Sequence, residues 1–244
     1  MQSSISLPDK TLAFAKHIGD AWTQPDGMGM REFQERFLYS QTLGAARTAK
    51  SYWILRSEGQ DFDTQVLARC LLERVFSSRV AKMDSRYAVE MIASEIDDRI
   101  EYQRRWIKSH GDATEDKTAH LHSLESDLKV FMTLLGNPSV PKWDYFRRAE
   151  KAGVAWAYRS AYSEFSRFVH TGYDATAFGE ECALNVSDFI ALVAPIDTAI
   201  WLHHCSTGGS TTNDDSYLRL FSEIQIQCWG NATVGNDLED CGVV

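Results

Sequence analysis

The chain has 244 residues, of which 44% are hydrophobic and 11% aromatic, and this is enough apolar material for a packed core. Its 25 lysines and arginines stand against 34 aspartates and glutamates, so the net charge is -9. This balance excludes the broad positive field that duplex DNA binding needs, and we expect no duplex DNA partner.

Helical periodicity dominates the sequence. Apolar residues recur at steps of three and four along almost the whole chain, strict alternation is scarce, and only five prolines interrupt the pattern. We therefore predict an all-α fold, an irregular bundle of about seven to nine helices. The predicted helices span about 8–22, 31–57, 64–83, 85–109, 115–135, 143–151, a segment through 162–172, 187–205 and 214–229.

The breaks between these helices are short. The strongest is "GNPSVP" after the fifth helix, and "STGGSTTNDD" is typical of a surface loop. Because apolar faces continue on both sides of each break, we predict one helical domain over residues 1–230 and a loosely held tail over 231–244.

The cysteines and the apolar segments indicate where in the cell the protein is expected. Five cysteines, an odd number at wide spacings, indicate reduced thiols. The first thirty residues lack the pattern of a secretion signal, and we find no stretch of about 18 uncharged apolar residues that could span a bilayer. We expect a cytoplasmic protein with no membrane partner.

The third helix carries an arginine and a glutamate four residues apart, Arg69 and Glu73, beside residues that we predict to be its buried side. These buried residues are Val66, Cys70, Leu71 and Val75. Burying a guanidinium or a carboxylate without a partner would destabilise the fold by roughly several kcal/mol, so we expect partners from another helix.

The segment "YSEFSRFVHTG" offers such partners. At about 100° per residue, Tyr162, Ser166 and His170 lie on one stripe of a helix. Hydroxyls can accept a hydrogen bond from a guanidinium or donate one to a carboxylate, and an imidazole can also donate. The sequence therefore predicts that Arg69 and Glu73 meet this stripe inside the molecule.

These two segments also resemble a known family. "LARCLLERVF", followed about ninety residues later by "WAYRSAYSEFSRFVHTG", is similar to a family of bacterial helical proteins of unknown function. Its members carry an Arg-x-x-x-Glu helix and a later Tyr-x-x-x-Ser-x-x-x-His helix. The resemblance covers about residues 45–173, matches at the five residues named above, and implies a helical fold without indicating an activity.

Two functions follow from the five residues. The preferred hypothesis is a binding or regulatory module with an internal polar site, in which Tyr162 and Ser166 contact a small anion or RNA. By analogy of helical architecture alone, such a module would serve a defence or stress response. A third interpretation, a buried network that only fixes the register of two helices, also stays open.

The alternative function is a metal-independent ribonuclease or other phosphoesterase of the helical toxin and phage-defence type. Here Arg69 stabilises charge, His170 acts as acid and base, and Glu73 completes the catalytic set. The segment "RRWIKSH" resembles the Arg and His spacing of such nucleases through Arg104, Arg105 and His110, but that spacing arises easily by chance.

No metal or cofactor is predicted. His120 and His122 point to nearly opposite sides of a helix, and His203 and His204 are adjacent. Glu90 and Glu95 diverge in the same way, and we expect all these side chains to be solvated or singly hydrogen-bonded. Seven tryptophans are compatible with a homodimer interface as well as with core packing, and both interpretations stay open.

Overall fold

The computed structural model describes residues 6–110, 114–137, 139–169, 180–208, 220 and 223–224. Within these ranges the chain forms eight helices and no strand, which confirms the predicted all-α fold. The helices are α1 (Leu7–Ala21), α2 (Met30–Ser57), α3 (Asp61–Met83), α4 (Ser85–His110), α5 (Glu115–Leu135), α6 (Tyr145–Lys151), α7 (Ala155–Ala157, a π-helical segment Tyr158–Tyr162, and Ser163–Val169) and α8 (Glu180–Ser206).

Local capping sets several of the helix ends. The side chain of Ser6 accepts a hydrogen bond from the Asp9 amide at the start of α1, and Asp144 caps α6 in the same way. At the end of α5, Gly136 has a φ of 59°, a left-handed conformation that glycine adopts without strain. The predicted bounds mostly agree with these ends, but α8 begins at Glu180 rather than at residue 187.

Two predictions lie partly outside the described residues. The helix predicted at 214–229 is described only at residues 220 and 223–224. The single domain over 1–230 and the tail over 231–244 therefore stay predictions.

Helix α3 occupies the centre of the bundle. It packs against α2, α4, α6, α7 and α8, while α5 packs chiefly against α4. Because neighbours surround α3, its burial is not confined to one face. Leu71 is fully buried as predicted, whereas Val66, Cys70 and Val75 are only partly buried, with Val75 packed against the core. The fully buried positions include Ala68, Leu71, Phe76 and Val80.

Helix α8 is apolar, and it crosses the bundle beside α2 and α3. By length and composition alone, Val186–Ser206 passes as a membrane span, with a mean hydropathy of 1.3, although it contains two aspartates, whereas the expectation from the sequence concerned uncharged stretches. However, 61% of this window is buried inside the structure, as in a core helix. Its two charged residues, Asp188 and Asp197, pair with Arg56 of α2 and Arg79 of α3.

The pair between Arg79 and Asp197 fastens α8 to α3. Nη2 of Arg79 donates to Oδ1 of Asp197 at 2.8 Å and Nε donates to Oδ2 at 3.3 Å, while Nε1 of Trp201 donates to Oδ2 at 3.1 Å. Asp197 is only 8% exposed. Its carboxylate is thus hydrogen-bonded at both oxygens, which is what a nearly buried charge requires.

We predict that Asp197→Ala lowers the free energy of unfolding by about 2–3 kcal/mol, because Arg79 and Trp201 lose their acceptor in a mostly buried place. The matched control is Asp98→Ala, which removes an exposed carboxylate paired with Lys142 and should cost less than about 0.5 kcal/mol. Urea unfolding followed by circular dichroism measures both. Equal losses in the two variants would contradict the prediction.

Candidate functional site

The predicted meeting of α3 with the tyrosine stripe of α7 is present in the structure. Nη2 of Arg69 donates to the hydroxyl oxygen of Tyr162 at 3.0 Å, and that hydroxyl donates to Oε1 of Glu73 at 2.9 Å. The same Oε1 accepts a hydrogen bond from Nε of Arg69 at 3.2 Å. Three side chains from two helices therefore close a ring of hydrogen bonds, which we call the Arg69 cluster.

Aromatic packing holds Tyr162 in this position. Its ring is stacked on Tyr158 with centroids 4.6 Å apart and an angle of 18° between the planes, and the ring centroid of Phe76 of α3 lies 6.1 Å from its own. The guanidinium carbon of Arg69 lies 4.9 Å from the ring centroid of Tyr162. The ring is thus a rigid support for both the hydroxyl and the guanidinium.

The π-helical segment Tyr158–Tyr162 is the local device that places this tyrosine. A π turn is wider than an α turn and is uncommon outside sites that need it. The hydroxyl of Ser163 donates to the carbonyl oxygen of Tyr158 at 3.0 Å, so one carbonyl of the widened turn has a partner. The wider turn sets the direction in which Tyr162 leaves the helix, toward α3.

Helix α6 adds a second tyrosine, Tyr145. Its ring centroid is 6.0 Å from that of Tyr162. Burial and then the charge of Glu73, with hydrogen bonding to that carboxylate, raise the pKa of Tyr145 to about 12. The same two causes, burial first, raise the pKa of Tyr162 as well. Both phenols are therefore neutral hydroxyl groups at physiological pH.

Arg69 keeps its charge in this setting. Burial acts against the guanidinium, but hydrogen bonds and charges from Tyr162 and Glu73 outweigh it and raise the pKa of Arg69. The side chains of Arg69 and Glu73 are each 20% exposed. Within the described residues, Nη1 of Arg69 has no hydrogen-bond partner and is not a buried atom. One edge of the guanidinium thus remains open toward solvent.

A second layer lies behind the cluster, and sequence reasoning missed it. Arg148 of α6 is only 4% exposed, and its Nη1 donates to the hydroxyl of Ser77 at 2.8 Å and to Glu95 at 3.2 Å. Ser77 in turn donates to the backbone carbonyl of Glu73 at 2.7 Å. Tyr145 and Arg148 lie three residues apart on a short helix, and this i,i+3 spacing was the available signal.

The other two predicted site residues, Ser166 and His170, are not seen to join the Arg69 cluster. The hydroxyl of Ser166 donates to the carbonyl oxygen of Tyr162 at 2.7 Å, within its own helix, so it makes no described contact with Arg69 or Glu73. His170 lies outside the described residues. The roles that we predict for Ser166 and His170 therefore stay predictions.

The nuclease-like segment is engaged in other contacts. Arg104 forms an ion pair with Glu125 at 2.6 Å, and Arg105 donates to the carbonyl oxygen of Glu101 at 3.3 Å. The ring of His110 is stacked on Trp106, and its Nδ1 lies 3.0 Å from the carbonyl oxygen of Trp106. These contacts are those of a solvated helix end.

No three described His, Cys, Asp or Glu side chains come together as a metal-binding group. Glu95 accepts one hydrogen bond, from Arg148, as predicted, but Glu90 is buried and accepts two, from Nε1 of Trp143 and from Arg86, so the prediction was wrong for Glu90. His120, His122 and His204 are exposed. Cys70 and Cys205 are free thiols, and burial is the main cause that raises the pKa of both.

Comparison with known families assigns the chain. A family of unknown function, DUF5677, matches residues 38–181, which include every residue of the Arg69 cluster and its second layer. The chain belongs to this family. No curated protein and no solved structure shows significant similarity to the chain. The DUF5677 match ends just inside α8, so the rest of that helix lies beyond it.

We predict that Tyr162→Phe lowers the free energy of unfolding by about 1–2 kcal/mol, because Arg69 loses an acceptor and Glu73 a donor in a partly buried site. Tyr158→Phe is the matched control. Its ring belongs to the same stack, and its hydroxyl makes no hydrogen bond in the described part of the chain, so we expect a change below about 0.5 kcal/mol. Chemical unfolding of the two variants side by side tests this, and a costlier Tyr158→Phe would refute it.

We also predict an alkaline signature for Tyr145. Its pKa is about 12 in the folded chain and 10.0 for a free side chain, so the folded state holds this proton more tightly. The resulting stability is complete below pH 10 and is lost as the pH rises toward 12. Phenolate formation is followed by ultraviolet absorbance as the pH is raised. The titration curve of Tyr145→Phe subtracted from that of the wild type should show one group ionising near pH 12. A difference step near pH 10 would show that the site does not retain the proton.

Proposed function

We propose that this DUF5677 chain is a binding module in which Arg69 presents its open edge to a small oxyanion. The observation that carries the proposal is that the guanidinium of Arg69 is held in a fixed orientation but has an unused donor nitrogen. Glu73 and Tyr162 fix its orientation through two of its nitrogens, while the third has no partner among the described residues and the side chain is 20% exposed. A planar, pre-oriented guanidinium suits a carboxylate or phosphate ligand.

The protonation states favour binding over catalysis. A general base or nucleophile needs a pKa near the working pH. Around the cluster, however, the pKa values of Tyr145, Tyr162 and Cys70 are all raised above their ordinary values. Glu73 already accepts hydrogen bonds from Arg69 and Tyr162. These groups support positioning of a ligand and do not supply a reactive proton acceptor.

The place of the cluster supports a regulatory role for the bound ligand. Arg69 and Glu73 belong to α3, Tyr162 to α7 and Tyr145 to α6. A ligand on the open edge of Arg69 would favour the arrangement in which α7 rests on α3, because only that arrangement orients the guanidinium. Binding at this point would thus couple ligand concentration to the packing of α6 and α7.

The ribonuclease or phosphoesterase activity stays an alternative prediction, because it depends on His170. No described contact favours it over binding. The same variants address it: cleavage of a labelled RNA that disappears in His170→Ala and in Arg69→Gln would replace the binding proposal.

We predict that wild-type protein binds inorganic phosphate or acetate, measured by isothermal titration calorimetry, and that Arg69→Gln weakens the affinity about tenfold or more. The matched control is Arg159→Gln. It makes the same substitution at an exposed arginine of the π-helical segment, for which no side-chain contact is described, and it should leave affinity within about twofold.

Two results would overturn this proposal. One is the same affinity in wild type and Arg69→Gln for every anion that binds. The other is no binding of either anion by wild type, together with a loss of stability in Arg69→Gln as large as that in Tyr162→Phe, which would mark the cluster as a structural network.

A further inference from the structure

A second arginine of α3, Arg74, lies against the backbone of α2 at Gly44. A Cβ atom built on Gly44 would come within 2.1 Å of Nη1 and 2.3 Å of Cζ of Arg74. The guanidinium therefore occupies the space that any other residue at position 44 would need. Glycine in the middle of a 28-residue helix is unfavourable, so this contact is made at a local cost to α2.

Arg74 differs from the other two arginines of α3 in its partners. Arg69 is paired with Glu73, and Arg79 with Asp197. Arg74 has no carboxylate within ion-pair distance in the described ranges. Its Nη1 donates to the neutral amide oxygen of Gln41 at 3.3 Å.

The hydrogen-bonding capacity of Arg74 is largely unused. Its Nε is a buried atom with no acceptor, and no hydrogen bond from Nη2 is found among the described residues. A partly buried charge with neither a counter-charge nor a full set of acceptors is unfavourable in the unliganded protein. An anion bound there would supply both.

We propose that Arg74, with Gln41 beside it and Gly44 beneath it, forms an oxyanion-binding site between α2 and α3. The ligand class is a carboxylate or a phosphate group, since the fork of a guanidinium matches two oxygens of either. Gly44 gives the guanidinium room to lie flat on the helix, and Gln41 restrains its rotation. The site is separate from the open edge of Arg69, because Arg74 contacts α2 and Arg69 contacts α7.

Calorimetric titration with inorganic phosphate, and separately with acetate at the same ionic strength, tests the site. We expect Arg74→Gln to weaken the affinity about tenfold or more, because it removes the only charge of the site. Gly44→Ala should weaken it too, since the new methyl group displaces the guanidinium. The arm with the higher affinity identifies the ligand group as phosphate or carboxylate.

Two matched controls accompany these variants. Arg47→Gln removes an exposed arginine of α2 one turn from Gly44, and it should leave affinity unchanged. Gly19→Ala places a methyl group in α1 at an ordinary 3.6 Å from Leu43, so it controls for the general effect of replacing a helical glycine. If Gly44→Ala does not fold, Arg74→Gln against Arg47→Gln decides the question.

The outcome also separates this site from the proposed function. A phosphate or acetate affinity that falls in Arg74→Gln and persists in Arg69→Gln supports the Arg74 site and overturns the Arg69 proposal, so the two proposals can fail separately. An affinity that is unchanged in Arg74→Gln, or an absence of binding of both anions, overturns it. Unliganded Arg74→Gln should unfold at a temperature no lower than Arg47→Gln, because the charge that it removes had no counter-charge.

Discussion

The structure depends on pairing the charged side chains of the central helix α3 with groups on the helices around it. α3 contacts five neighbouring helices, yet it carries Arg69, Glu73, Arg74 and Arg79 along its length. Charged groups in such a position need partners brought by the neighbouring helices, because water reaches them poorly. Within the described residues, α2, α6, α7 and α8 each make polar contacts with α3 as well as apolar ones.

Two of these contacts link α3 to different neighbouring helices, α8 and α7. On one side, Asp197 of α8 accepts two hydrogen bonds from Arg79, and this pair links the apolar helix α8 to the central helix. On the other side, Tyr162 of α7 closes the ring with Arg69 and Glu73. The first pair is nearly buried at its carboxylate and serves stability. In the second, Nη1 of Arg69 has no hydrogen-bond partner in the described part of the chain, and this open edge is why we assign a ligand to it.

Helix α6 has only seven residues, but it supports the site from behind. Tyr145 places its ring 6.0 Å from that of Tyr162, and Arg148 joins α3 to α4 through Ser77 and Glu95. The bonds from Arg148 reach the backbone carbonyl of Glu73 by way of Ser77. Arg69 and Tyr162 thus hold the carboxylate of Glu73, while Ser77 holds its backbone carbonyl, and a carboxylate held in this way orients Arg69 and does not act as a free base.

The sequence by itself determined the helical class, most helix ends and the expectation that Arg69 and Glu73 find a partner in Tyr162. These features depend on short-range regularities: apolar spacing, caps such as Ser6 and Asp144, and the cost of an unpaired charge. Only the tertiary structure decided which other groups converge. It placed Tyr145 and Arg148 at the site, turned the hydroxyl of Ser166 into its own helix, widened the turn before Tyr162, and left Arg74 on Gly44 without a carboxylate. The physical reason is that periodicity fixes the face of a helix on which a side chain lies, whereas its partner depends on how distant helices pack, and that is set by the sum of many contacts.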